Sequence, residues 1–164
     1  MSRLVAVALL LAARSAGAEP FASAGIVFSG GTRGFAIGLE ISGGRSDDSS
    51  GAFGGLAAGV DVAPWSGDLP RTRAYFEAEG GWTGFGAGVG PAFFFDGSPI
   101  AVQLTPFVAM GNIFGCSNYE PWTIGGLYYR YTPRGGLRDF HEGGGFGKVL
   151  WLPNNVRDNG VCSH

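Results

Sequence analysis

The segment from Thr83 to Phe95 restricts the fold of this chain more than any other, because its residues alternate between two kinds of side chain. Odd positions carry the apolar side chains of Phe85, Ala87, Val89, Phe93 and Phe95, and even positions carry the small residues Gly84, Gly86, Gly88, Gly90 and Ala92. A period of two is typical of a β-strand, here with one apolar and one small face. Interior strand glycines cost roughly 0.5–1 kcal/mol each relative to alanine, so a run of them indicates a structural need. A narrow closed sheet, or a neighbouring backbone in close contact, would supply that need.

The same alternation recurs along the chain and predicts about eight β-strands. They are predicted at residues 21–28, 35–42, 56–63, 73–79, 83–95, 100–110, 123–132 and 146–152. Polar or glycine-rich loops are predicted at 43–51 and 133–145, and Pro106 predicts an edge, a bulge or a shortened strand. No amphipathic helix of any length is apparent. Consecutive hairpins of such strands predict an all-β fold, an antiparallel up-and-down β-barrel of about eight strands.

The first 18 residues are predicted to be a secretory signal peptide. A short basic start precedes the apolar run from Leu4 to Ala13, and a small-x-small cleavage pattern follows at residues 16–18. The apolar run is too short to span a membrane as a helix. We therefore expect an exported protein with a single domain at 19–164, which ends in a polar tail at 153–164.

Cys116 and Cys162 are the only cysteines, and an even pair in an exported chain predicts a disulfide. Closing a loop of that length would stabilise the fold by about 4 kcal/mol in the chain-entropy description. Free thiols are the alternative. A zinc site is not predicted, because two cysteines and two distant histidines do not have ligand spacing.

The composition argues against a nucleic-acid partner and for an unusual apolar surface. Charged residues make up 15% of the chain, against about 25% in a typical soluble domain, while aromatics reach 13%. Removing the signal peptide takes away Arg3 and Arg14, which leaves nine basic and 13 acidic residues and a net charge of −4. Lys148 is the only lysine and no basic patch exists, so we expect no nucleic acid as a partner.

Every strand charge that can be assigned to a face lies on the small-residue face. These charges are Glu40, Asp61, Arg73, Glu77, Glu79 and Arg130, whereas the strand that holds Lys148 is apolar on both faces. A soluble sandwich or lipocalin-like barrel would bury the apolar face, and an outer-membrane barrel would turn it to lipid. Soluble outer faces usually carry Thr, Lys, Glu and Arg, while small residues suit the crowded interior of an eight-stranded barrel. The sequence therefore favours an interior polar network in which Arg73 and Arg130 pair with the four acids.

With its signal peptide, short glycine-rich hairpins and apolar/small alternation, the chain resembles the small eight-stranded outer-membrane β-barrels of Gram-negative bacteria. The resemblance implies an outer-membrane location, lipid as the surrounding partner, and surface or periplasmic proteins as possible partners. It also implies that Trp and Tyr near strand ends form interfacial girdles. The cysteine pair and the lack of a terminal aromatic residue keep an alternative open. This is a soluble, disulfide-bonded secreted or periplasmic β-barrel or sandwich that binds a small apolar ligand.

Catalytic chemistry is not predicted, although a lipid-modifying barrel enzyme stays open as a third alternative, and no cofactor or metal is expected. His141 and Glu142, with Asp139 nearby, form the only place where a base and acids crowd together, in a segment predicted to be a solvated loop. A hydrolytic site would need a positioned nucleophile, and no serine motif adjoins them. Glu77 and Glu79 share a strand face and could form an acid pair, but the sequence favours salt bridges in the interior.

Overall fold

Eight antiparallel strands form a closed barrel in the computed structural model, which describes residues 18–47, 50–67, 69–111, 122–134 and 138–151. The strands are β1 (Glu19–Gly31), β2 (Ala36–Asp47), β3 (Ala52–Val62), β4 (Thr72–Trp82), β5 (Phe85–Phe94), β6 (Ala101–Gly111), β7 (Trp122–Thr132) and β8 (Phe140–Trp151). Each strand pairs with its sequence neighbours, and β1 closes the barrel against β8. The predicted all-β, up-and-down barrel is confirmed. The described residues include no helix long and apolar enough to cross a membrane.

Three predictions concern residues outside the described ranges. They are the signal peptide, of which only Ala18 is described, the disulfide between Cys116 and Cys162, and the polar tail at 153–164. All three stay predictions.

Two strands extend well beyond their predicted ends. β2 continues through the predicted loop to Asp47, and its Arg45 lies opposite both Pro20 of β1 and Gly54 of β3. β8 begins at Phe140 instead of Phe146. β2 lies between β1 and β3, and closure places β8 between β7 and β1, so both extended segments pair on two sides.

Proline interrupts the pairing of two neighbouring strands at two places without changing their register. The β6–β7 register is the same before and after Pro106, although the pairs at Thr105 and Pro106 are missing. The β4–β5 register likewise continues past Pro91. Because proline lacks the N–H that the ladder needs, the hydrogen bonds stop there while the strands stay aligned. The predicted edge, bulge or shortened strand at Pro106 is therefore wrong.

The apolar face of the strands is the outer wall of the barrel. Large apolar side chains that are at least 40% exposed include Ile26, Phe28, Ile37, Leu39, Ile41, Leu56, Val60, Val62, Phe76, Phe93, Val102, Leu104, Val108 and Leu127. At the outward positions of the described strands, the only Asp, Glu, Lys or Arg residues are Arg45 and Asp47, which lie at the C-terminal end of β2. Strand alternation therefore sends the charged residues inward and the apolar ones outward.

The two ends of the barrel differ, and we name them by their contents. The termini end is where β1 begins and β8 ends, and it carries the connections 48–51, 83–84 and 112–121. The ring end carries the connections 32–35, 63–71, 95–100 and 133–139. At the termini end, Thr83 and Gly84 both have positive φ, 47° and 84°, as in a type I′ turn. Glycine adopts this backbone freely, whereas for Thr83 it is strained.

The glycine face of β5 makes room for the Glu77 side chain and for the backbone of β4. A Cβ at Gly88 would lie 2.8 Å from Oε2 of Glu77, and one at Gly90 would collide with the carbonyl oxygen of Phe76. The glycine run thus permits the close approach that a narrow closed sheet requires.

Candidate functional site: the buried polar interior

The structure places all six predicted interior charges on the inner face of the barrel. Glu40, Asp61, Arg73, Glu77 and Arg130 are each at most 6% exposed. Glu79 is partly buried and lines a cavity. Three further charged residues are buried with them, namely Arg33, Glu142 and Lys148.

Two arginines and two acids form a closed ring near the ring end, and we call these four residues the Arg–acid ring. Arg33 donates from Nη2 to Asp61 Oδ1 and from Nε to Glu142 Oε1, both at 2.7 Å. Arg73 donates from Nη1 to Glu142 Oε2 at 2.6 Å, and from Nε to Asp61 Oδ2 at 3.0 Å, with a second bond from Nη2. Each arginine therefore binds both acids, and each acid binds both arginines. Charge-assisted bonds of this kind lock the four side chains in one arrangement.

Residues from three strands and one turn supply the ring. Asp61 lies on β3, Arg73 on β4 and Glu142 on β8, while Arg33 belongs to the β1–β2 turn and reaches back into the barrel. Burial opposes the charged form of Arg33, but the carboxylates of Asp61 and Glu142 outweigh this effect and hold its pKa above the ordinary value. Arg33 is 0% exposed, so this turn is anchored from within.

An apolar layer covers the ring at the same end. Phe94 and Phe140 meet edge to face at 5.4 Å and pack with Ala92, Ala101 and Leu69. The Arg134 guanidinium lies over both rings, 5.3 Å from Phe94 and 4.7 Å from Phe140. The ring end of the interior is thus closed by packed side chains.

A second polar layer lies toward the barrel centre. Glu40 accepts a hydrogen bond from Tyr75 Oη at 2.5 Å and pairs with Lys148. Arg130 is stacked between two tyrosines, 4.2 Å from the Tyr75 ring and 4.9 Å from the Tyr128 ring. Its Nη2 lies 3.8 Å from Glu40 Oε2. The sequence predicted arginine–acid pairs here, and the structure adds the aromatic faces that hold the guanidinium.

Glu77 is only half satisfied. Its Oε1 accepts hydrogen bonds from Gln103 Nε2 at 2.8 Å and from Thr105 Oγ1 at 2.5 Å. Its Oε2 is buried and has no hydrogen-bond partner among the described residues, although Glu77 is 1% exposed. A buried carboxylate oxygen without a partner costs free energy, so this atom requires an explanation.

A cavity of ≈ 30 Å³ adjoins this carboxylate. Three acids line it, Glu40, Glu77 and Glu79, together with the cations Arg130 and Lys148. The remaining lining residues are Val27, Thr105, Phe107, Tyr128 and Phe146. A cavity needs about 10–15 Å³ to hold a water molecule, so this one has room for a small occupant.

Toward the termini end, aromatic rings packed on glycine replace the charges. Phe107 contacts Phe53 at 5.9 Å and Phe146 at 6.2 Å between ring centroids. A Cβ at Gly86 would lie 2.5 Å from the Phe107 ring and 2.8 Å from the Phe53 ring. This half of the interior is filled by large rings against residues that lack a side chain.

Sequence reasoning missed Arg33, Glu142 and Lys148. The solvated-loop interpretation of Glu142 is wrong, because the residue lies in β8 and is 0% exposed. Strand parity contained the missing signal: Glu142 and Lys148 are both at even positions of β8 and therefore share its inner face. Arg33 lies in a turn, where strand periodicity gives no information.

His141 and Glu142 do not form a joint site, because neighbouring strand residues face opposite sides. His141 is on the outer wall, where its Nδ1 lies 2.6 Å from Tyr129 Oη. Beside it, Tyr131 Oη donates to Asp139 at 2.8 Å. The backbone N–H of Arg134 and the Tyr131 hydroxyl both donate to Asp139 and hold its pKa below the ordinary value. This outer cluster brings a base and an acid near two phenols but separates both from Glu142.

Among the described residues, no group of three or more His, Cys, Asp or Glu side chains is arranged to hold a metal ion. The interior arrangement can fix the barrel wall and exclude bulk solvent at the ring end. No protein-family profile, curated protein or solved structure matches this chain.

Proposed function

We propose that this protein is an integral β-barrel of a bacterial outer membrane with a filled interior, and that its role is structural or surface-interacting without catalysis. The observation that carries the proposal is the continuous apolar outer wall, combined with an inner face that holds the charges. Lipid is then the surrounding partner, and the connections at the ring end and termini end are the parts available to other proteins.

The exposure of the outer wall is difficult to reconcile with water. Leu39, Ile41 and Leu127 are 64%, 62% and 65% exposed. Soluble monomers rarely expose contiguous apolar patches larger than a few hundred Å², whereas exposed apolar side chains here occur from β1 through to β8. A hydrocarbon environment removes this cost.

The height of the apolar wall fits a bilayer. Exposed apolar side chains run from Phe85 on β5 to Phe95 just beyond its end, and from Ile100 just before β6 to Met110 on that strand. With about 3.3 Å of rise per residue and a strand tilt of about 40°, each run covers about 25 Å along the barrel axis. The apolar band of membrane barrels has this height, about 25 Å. Trp82 and Trp151, both near the termini end, match an interfacial girdle.

A diffusion pore is not part of the proposal. The Arg–acid ring crosses the interior from β3 and β4 to β8, and the Phe94–Phe140 layer covers it. Eight strands leave an interior that side chains fill. A structural or surface role therefore fits better than transport of solutes.

The alternative of a soluble barrel that binds an apolar ligand has little support in the interior. Its inner face would have to be apolar, but the central cavity is lined by three carboxylates and two cations. The cavity of ≈ 30 Å³ is also far smaller than the roughly 300–1,000 Å³ of typical ligand sites.

Cell fractionation with a paired substitution tests the proposal. The unmodified chain should remain in carbonate-washed membranes and change gel mobility on boiling. Leu39→Arg, at the middle one of the three exposed apolar side chains of β2, should cost about 2–4 kcal/mol and reduce the heat-shifting form, whereas Pro20→Arg near the termini end should cost about 0–1 kcal/mol. Recovery of a folded monomer from the soluble fraction, or equal assembly of both variants, would show that the outer wall does not face lipid.

A further inference from the structure

Counted with every acid and base ionised, the charged residues that are buried or line the central cavity sum to −1. Eight charged residues are buried, and they balance: Arg33, Arg73, Arg130 and Lys148 against Glu40, Asp61, Glu77 and Glu142. Glu79 adds a fifth carboxylate on the wall of the central cavity. Among the described residues it forms no hydrogen bond and no ion pair.

The excess is concentrated at one place. Glu77 and Glu79 are two residues apart on β4, so their side chains lie on the same inner face. Oε2 of Glu77 is the buried oxygen without a partner, and both residues line the cavity of ≈ 30 Å³. An unpaired charge in a region of low dielectric constant is costly and requires compensation.

The chain's own cations in this cavity have their nearest acidic partners elsewhere, Lys148 at Glu40 and Arg130 at Asp61, although Nη1 of Arg130 forms no hydrogen bond among the described residues. Lys148 pairs with Glu40, and its Nζ lies 5.2 Å from the centre of the Phe146 ring. Arg130 donates to Thr105 and is stacked between two tyrosine rings. Neither contacts Glu79 or the free oxygen of Glu77.

We propose that the central cavity binds one monovalent cation between the Glu79 carboxylate and Oε2 of Glu77. The charges of the cavity lining sum to −1, from three acids and two cations, which a single positive charge cancels. The available ligands are carboxylate oxygens with the Thr105 hydroxyl beside them, and oxygen ligands suit hard cations. The cavity volume admits an ion or water molecule but not a larger organic cation. The inference concerns the interior and does not depend on whether lipid surrounds the outer wall.

The test measures cation-dependent stability of the full chain folded in detergent, at fixed pH and constant ionic strength. Sodium or potassium chloride is exchanged for the chloride of N-methylglucamine, which is too large for the cavity. The small cation should raise the unfolding midpoint with the logarithm of its concentration, because it binds the folded state. Glu79→Gln should abolish this shift, and the matched control Glu19→Gln, which removes an acid outside the cavity, should retain it.

A second measurement does not depend on any variant folding. Crystals of the unmodified chain soaked in rubidium chloride should show an anomalous peak between the carboxylates of Glu77 and Glu79. The absence of that peak would overturn the proposal. So would equal midpoints in small and large cations, a shift that survives Glu79→Gln, or a midpoint that responds to pH alone, which would identify a proton as the occupant.

Discussion

At the ring end the barrel is filled by charged side chains that are paired on every side, whereas toward the termini end it is filled by phenylalanine rings packed on glycines. In the first half, each guanidinium of the Arg–acid ring contacts two carboxylates. In the second half, Phe107 lies between Phe53 and Phe146. The cavity and the unpartnered Glu77 oxygen lie between these two regions.

The difference shows two solutions to one geometrical problem. An eight-stranded barrel has an interior just wide enough for side chains to fill. Fork-shaped guanidiniums bridge strands that are not neighbours and accept only one arrangement of their partners. Aromatic rings fill volume without directional bonds, so their fit depends on the missing side chains of the glycines. The ring half should therefore depend on charge pairing and the termini half on shape.

Breaking the Arg–acid ring should have the largest effect. Arg73→Met leaves Asp61 and Glu142 each without one partner in a fully buried site, and we expect a loss of about 3–5 kcal/mol in the free energy of unfolding. The same substitution at the exposed Arg45 is the control and should change it by less than about 0.5 kcal/mol. Urea unfolding in lipid vesicles, followed by tryptophan fluorescence, measures both. Similar losses in the two variants would show that the Arg–acid ring contributes no more to stability than an exposed arginine does.

Removing one hydroxyl from the central layer should have a smaller effect. Tyr75→Phe keeps the ring that stacks on Arg130 but removes the hydrogen bond to Glu40. We expect a cost of about 1.5–3 kcal/mol, as for bonds to buried charged groups. Tyr129→Phe, which removes an exposed hydroxyl on the outer wall, should stay within about 0.5 kcal/mol in the same assay. If Tyr75→Phe left the free energy of unfolding unchanged, Lys148 alone would be sufficient to pair with Glu40.

The shape dependence of the termini half is tested by adding a single methyl group. Gly86→Ala places a Cβ against the rings of Phe53 and Phe107, so we expect a cost of about 1–3 kcal/mol from overpacking. Gly147→Ala adds the same group where no heavy atom lies within 4 Å. Because alanine lowers the conformational entropy of the unfolded chain, Gly147→Ala should leave the free energy of unfolding unchanged or raise it by about 0.4–1 kcal/mol. If the two variants were equally stable, the rings would not be tightly packed on glycine.

The turn at the termini end offers the smallest effect, and one of opposite sign. Thr83 has φ of 47°, a backbone that Asn tolerates better than Thr in a type I′ turn. Thr83→Asn should raise the free energy of unfolding by about 0.5–1 kcal/mol through relief of strain. Thr123→Asn, at a strand position without positive φ, should bring no gain. Differential scanning calorimetry in detergent would measure the unfolding temperature of both variants, which should rise only for Thr83→Asn.

Periodicity was enough to predict the barrel and the side on which each strand residue lies. The alternation around Glu40, Asp61, Arg73, Glu77 and Arg130 assigned these residues to one face, and the structure places that face inside. The prediction from sequence failed where a segment has the composition of a loop but pairs as a strand. The segments at 43–47 and 140–145 have the composition of loops, yet two neighbouring strands on either side hold them in the sheet.

The sequence by itself determined the number of strands, their alternation and the faces of most charges, because these depend on local periodicity. The tertiary structure decided which charges pair. Arg33 and Glu142 are 109 residues apart, and they meet only because β8 closes against β1 and brings the β1–β2 turn above its inner face. The position of the half-satisfied Glu77 was likewise decided by closure, since its partners Gln103 and Thr105 come from another strand. Such contacts follow from the diameter and register of the closed sheet, which no local pattern contains.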